Sequence, residues 1–151
     1  MSELEARVAA LEARVAALEE DPRQPSSATG GLVSYSGDVH LAGDVSWTID
    51  YSPDAVLELP PDRSVEVLAA LGHPVRLAVV RELLRGPAIA ADLQTAAGLS
   101  SVGQLYHHLK TLTSARIVEQ HGRGDYRLAA RTVVPALVLM LASADIAGEL
   151  R

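Results

Sequence analysis

The chain contains no cysteine. That excludes disulfides, thiolate zinc sites and cysteine nucleophiles together, and it suits a reducing cytoplasm. Long apolar runs are missing too: the longest, Val133–Ala142, contains Pro135 and is about half the length of a bilayer span. The first residues alternate in charge where a secretory signal would set a basic stretch before an apolar one. A cytoplasmic protein with no membrane partner is expected. Two further gaps are local. Lys and Arg are missing from residues 24–61, and Asp and Glu are missing between Asp92 and Glu119.

These gaps divide a net charge of −6. Residues 1–23 and 24–61 are acidic, whereas residues 62–131 hold nine basic and six acidic side chains. Phosphate contact needs a local basic field, so the overall sign does not exclude nucleic acid. With 151 residues, 48% hydrophobic and 21% charged, the chain is long enough for one compact domain plus an appendage.

Residues 3–20 repeat every seven. Leu4, Val8, Leu11, Val15 and Leu18 step by four and three, with Val at a and Leu at d, the pattern of a parallel two-stranded coiled coil. Arg7 and Arg14 at g face Glu12 and Glu19 at the partner's next e positions. The alternative is one amphipathic helix packed on its own domain. Asp21-Pro22 ends the helix, and the Pro, Ser and Gly of Arg23–Gly31 mark a linker.

From Leu32 to Leu59 the apolar period becomes two, as in Val39 and Leu41, then Val45, Trp47, Ile49 and Tyr51. Gly37-Asp38 and Gly43-Asp44 are expected to turn the chain between two or three antiparallel strands. Tyr35, His40, Trp47 and Tyr51 line either a ligand pocket or, more simply, a core. Asp38, Asp44 and Asp50 read as turn residues and not as a calcium loop.

Helical periodicity follows Pro60-Pro61. Val65, Leu68, Ala69 and Leu71 form a stripe stopped by Gly72; Leu77, Val80, Leu83 and Leu84 form the buried side of a second helix, begun at Pro74 and ended at Gly86. A third helix is expected over Ile89–Ala97. Gly98-Leu99 turns the chain, and Ser100 or Ser101 caps a fourth helix to about Ser114. Two short helices about a Gly-containing turn make a helix-turn-helix candidate. In the fourth helix Leu105, Leu109 and Leu112 point inward. Gly103, Gln104, Tyr106, His107, Lys110 and Thr111 take the other side, with donors, acceptors and no carboxylate, the chemistry needed to read a major groove. His108 lies beside the buried face, and His73 reads as a capping or packing residue. The stretch 117–129 alternates about His121-Gly122-Arg123-Gly124-Asp125, a hairpin on which Arg123 and Arg127 place positive charge. A last helix, Thr132–Leu150, carries Pro135 in its first turn and is apolar nearly all round, so it is expected between two subunits through Val134, Leu137, Val138 and Leu141.

Residues LAALGHPVRLAVVRELLRG, AADLQTAAGLSS and QLYHHLKTL with the following hairpin resemble the ArsR-type winged helix-turn-helix repressors over about residues 62–150. Leu71-Gly72-His73-Pro74 with Arg76-Leu77, and His107-His108-Leu109-Lys110, carry the likeness best. The resemblance implies a symmetric dimer, terminal helices in its interface and two recognition helices on a palindromic operator. Two departures stand out. The cysteines through which many relatives sense metals are absent, and Arg116 stands where the family usually has Gly.

The expected fold class is therefore α+β: a coiled-coil dimerisation helix (1–21), a linker (22–31), a short antiparallel β segment (32–59) and a winged helix-turn-helix domain with a terminal dimerisation helix (60–151). The expected function is a homodimeric transcriptional regulator, a repressor, of double-stranded DNA, without metal or cofactor and with a small-molecule or protein effector left open. Its recognition helix is placed at about 101–114 and its wing at about 117–129. Gln104, Tyr106, His107 and Lys110 are expected at bases or nearby phosphates, and Ser101, Arg123 and Arg127 at the backbone. An architectural DNA-binding protein and a winged-helix protein-interaction module are the alternatives. No catalytic set stands out, so no enzyme is expected.

Overall fold

The computed structural model describes residues 3–19 and 30–150, with the side chains of 4–15 described in the first helix. The side chain of Leu18 and linker residues 22–29 lie outside the described residues. The chain divides into two compact units, Met1–Ser36 with Thr48–Leu59, and Gly37–Trp47 with Pro60–Arg151.

In the first unit, helix α1 spans Glu3–Glu19. Its heptad residues Leu4, Val8, Leu11 and Val15 are 72%, 46%, 57% and 50% exposed. The unit closes with α2, Pro53–Leu57, where the Ser52 hydroxyl accepts from the Ala55 N–H at 3.2 Å.

Strands β1 (Val33–His40) and β2 (Asp44–Tyr51) form a two-stranded sheet joined by residues 41–43. So short a connection makes them antiparallel. Only Gly43-Asp44 sits at the turn. Gly37-Asp38, expected to turn the chain, lies inside β1. The glycine serves a close approach instead, because a Cβ there would sit 2.7 Å from Val134 Cγ1. The aspartates likewise serve cross-strand bonds: Ser46 donates to Asp38 at 2.9 Å, His40 Nδ1 lies 2.7 Å from Asp44, and Ser34 donates to Asp50. These pairs make one face of the hairpin polar. Trp47 is 36% exposed and does not act as core.

The second unit is built around Val79, Val80, Leu93, Leu105, Leu109, Leu112, Ile117, Val118 and Val134, each at most 2% exposed. Helix α3 (Pro61–Leu71) stops at Gly72, but its inward residue is Ala70, with Val67 and Leu71 half-buried, while Val65 and Leu68 are exposed. The helix phase places Ala70, not the larger side chains, against the core. Helix α4 (Pro74–Arg85) begins where His73 Nδ1 accepts the Val75 N–H at 3.2 Å, the capping role expected of it. It buries Val79, Val80, Leu83 and Leu84.

The expected third helix starts one residue late. Ala88–Ile89 is strand β3, followed by α5 (Ala90–Ala96) and α6 (Val102–Ser114). Strands β4 (Val118–His121) and β5 (Asp125–Leu128) form the hairpin, and the sheet order is β3-β5-β4. Pairing of Ala88 with Tyr126 fastens the start of α5 to the hairpin, a long-range contact that overrides the local helical pattern.

Helix α7 runs Ala130–Ile146. It starts two residues earlier than its periodicity suggests, so Pro135 lies inside it and not in its first turn. Val134, expected in a subunit interface, is 1% exposed within the chain and meets Gly37. Burial is already complete there, so it has no surface to offer a partner. Leu137 and Val138 are half-buried, whereas Leu141 and Ile146 are 59% and 90% exposed.

Candidate nucleic-acid interface

Local geometry fixes the presentation of α6. Gly98 adopts φ +64°, a conformation that favours glycine, to turn the chain after α5. Gln94 Nε2 then donates to the Leu99 carbonyl at 3.1 Å, and the Leu99 N–H returns to the Gln94 carbonyl at 3.0 Å. Ser101 caps α6, its Oγ accepting the Gln104 N–H at 3.3 Å. The Ser101 side chain expected at the DNA backbone thus already holds the helix start, though it stays exposed.

Leu105, Leu109 and Leu112 lock the inner face of α6 at 0%, 2% and 0% exposure. Gly103, Gln104, Tyr106, His107 and Lys110 stand exposed on the other. Thr111 is half-buried, and its hydroxyl donates to the His107 carbonyl at 3.4 Å. The open face carries four polar or aromatic side chains and a cation, without a carboxylate.

His108 is half-buried between α6 and the start of α4. Its ring centroid lies 4.7 Å from His73 and 5.8 Å from His107, and its Nδ1 is buried without a hydrogen-bond partner among the described residues. Burial, then the charges of His73, Arg76 and His107, push its pKa below the ordinary 6.5. His108 is therefore a neutral packing group near pH 7. Among the described residues no group of three or more His, Cys, Asp or Glu is placed to hold a metal.

The two wing arginines differ. Arg123 is exposed at the tip, flanked by Gly122 (φ +71°) and Gly124 (φ +86°), whose left-handed conformations make the tight reversal. Arg127 pairs across the hairpin with Glu119, Nε to Oε2 at 3.5 Å. Strand alternation sets it on the face opposite Tyr126 and Leu128, which are buried in the core. Arg127 is a partly neutralised charge, and Arg123 has no carboxylate partner among the described residues.

A groove of about 680 Å³ beside α6 brings in two residues not expected at this face, Arg63 and Arg76, together with His107, Lys110 and Thr111. Arg63 pairs with Glu66 at 2.9 Å, and Arg76 donates to the Ala69 and Ala70 carbonyls at 2.9 and 2.5 Å. Arg76 thereby straps the end of α3 to α4. Its periodic position on α4 gave no hint of that, since its acceptors are backbone atoms of another helix. Behind α6, Arg116 has φ +58°, the one left-handed non-glycine among the described residues.

Residues 71–121 match the family model described as a helix-turn-helix domain. No curated protein matches the chain. Among solved structures, Mb0332 of Mycobacterium bovis, described as a homodimeric winged helix-turn-helix DNA-binding domain and a possible ArsR-family transcriptional regulator, is 27% identical. The match covers 65% of this chain and 89% of that one, with a TM-score of 0.52. The transcriptional repressor BigR of Xylella fastidiosa is 28% identical over 58% of this chain and 94% of its own, with a TM-score of 0.46. NolR of Sinorhizobium fredii is 21% identical over 63% and 92%, with a TM-score of 0.49. The chain contains a winged helix-turn-helix fold resembling those of the ArsR-family transcriptional regulators, with the helix-turn-helix model matched over residues 71–121.

Proposed function

We propose that the protein is a cytoplasmic homodimeric transcriptional regulator, a repressor, that binds palindromic duplex DNA and works by binding and not by catalysis. The observation that carries this reading is the exposed, carboxylate-free face of α6, Gln104, Tyr106, His107 and Lys110, followed by a hairpin with the exposed Arg123 at its tip. In this reading α6 enters the major groove, where base edges offer donors and acceptors, and Arg123 lies on phosphates. Arg127, tied to Glu119, contributes less than Arg123. The likeness to Mb0332, a homodimeric DNA-binding domain, supports the same reading.

Dimerisation is supported by apolar surface left open in one chain. The seam of α1, Val65 and Leu68 of α3, and Leu141 and Ile146 of α7 are each 46% exposed or more. A parallel coil through α1 and contacts through α7 would cover them, and paired subunits would set two α6 helices for two half-sites.

The test is retention of a random duplex library across a salt series, followed by sequencing. A recovered palindrome with half-sites about one helical turn apart is expected. Tight retention without a motif would instead indicate an architectural binder, and no retention at low salt would leave a protein-interaction module.

A further inference from the structure

The hairpin tip and the back of the wing line an open cavity of about 600 Å³. Val39 and Val45 of the hairpin and Leu84 of α4 line it, as do Glu119, Arg127 and Arg131. Its size and lining, apolar with a few convergent charges, are those of a small-molecule site. The lining carries two acids, Asp44 and Glu119, and two arginines, Arg127 and Arg131, but they are not all paired with one another. Glu119 is committed to Arg127 at 3.5 Å, and Asp44, also on the lining, to His40 at 2.7 Å. Arg131 has no carboxylate partner among the described residues. A guanidinium beside an apolar cavity matches a carboxylate, which it can hold by two parallel hydrogen bonds. The wall formed by the hairpin is fixed to α7 by the Gly37–Val134 approach, so the cavity is a built feature of this unit.

We propose that this cavity binds a small amphipathic carboxylate, its charged end on Arg131 and its apolar body between the hairpin and α4. Because Glu119 and Arg127 of the wing strands also line the cavity, its occupancy is expected to change the affinity of the wing for duplex DNA; this consequence, unlike the binding itself, rests on the DNA-binding reading.

The test is calorimetric titration of the full chain with 2-naphthoate and with decanoate, the alcohols 2-naphthylmethanol and decanol serving as neutral controls. At least one acid is expected to bind saturably, with its alcohol about tenfold weaker, as loss of a charged hydrogen bond implies. Arg131→Gln should weaken the acid by about tenfold, and Ala42→Trp, a substitution at an exposed lining residue of the hairpin turn, should abolish its binding. Circular dichroism checks that both variants fold. Failure of both acids to bind up to millimolar concentration, equal binding of acid and alcohol, or wild-type binding by both variants would overturn the site. The titration contains no DNA, so it stands apart from the duplex experiment. An acid that binds but leaves the affinity for a retained duplex unchanged would overturn the consequence for the wing alone.

Discussion

Helices α1 and α6 carry equally clear apolar stripes and meet opposite fates. Leu105, Leu109 and Leu112 of α6 are at most 2% exposed, whereas Leu4, Val8, Leu11 and Val15 of α1 are at least 46% exposed. A stripe states that a face is to be covered, not by what. For α6 the cover is α4, α5 and β4 of the same chain. For α1 the described residues supply none. The difference locates the buried core in the winged domain and leaves the seam of α1 open among the described residues.

The contrast is broken most severely at Leu109. Leu109→Ala should cost about 2–5 kcal/mol, the range for a buried leucine, read as a shift of the urea unfolding midpoint. Leu11→Asp in the α1 seam should leave that midpoint nearly in place. It should raise the dissociation constant of the dimer by about tenfold or more, since a charge at a d position removes a seam contact. Sedimentation over a concentration series reads this, and an unchanged dissociation constant would show that α1 takes no part in association.

A smaller effect separates backbone from side chain within the winged domain. Arg116 pays a left-handed backbone, so Arg116→Gly should stabilise by about 1 kcal/mol, again by urea unfolding. The smallest expected effect is that of pH. The folded pKa of His108 lies below its ordinary 6.5, so the unfolded chain takes up the proton first as pH falls. Its favourable contribution is full above pH 6.5 and is lost as pH falls toward the lowered value. The stability of the wild type relative to His108→Leu should therefore decline on acidification through that window, and a constant difference would refute the assignment.

The winged domain was legible in the sequence because its signals are local. Ser101 before α6, Pro74 after His73, Gly72 and Gly86 at helix ends and the Gly-Arg-Gly tip are each written within a few residues, and α4, α6 and the wing hairpin stand where expected. The inward face of α6 was legible for the same reason. What escaped depends on distant partners. Ala88-Ile89 becomes a strand only because β5 offers its edge, Gly37 sits in a strand because Val134 arrives against it, and Arg76 turns to carbonyls of α3. In the candidate site, the open face was readable from the placement of the leucines. The unequal standing of Arg123 and Arg127 was not, because the register that sets Glu119 beside Arg127 exists only once the hairpin closes.

The central claim is that α6 and the wing tip engage duplex DNA. It is tested most directly by anisotropy of a library-selected duplex across a salt series, comparing wild type, Arg123→Ala and Arg127→Ala. Arg123→Ala should weaken binding to all sequences and reduce the salt slope by about one, with Arg127→Ala changing it less. Wild-type affinity and slope in Arg123→Ala, or altered sequence preference at a constant slope, would contradict the assignment of the wing tip to phosphate.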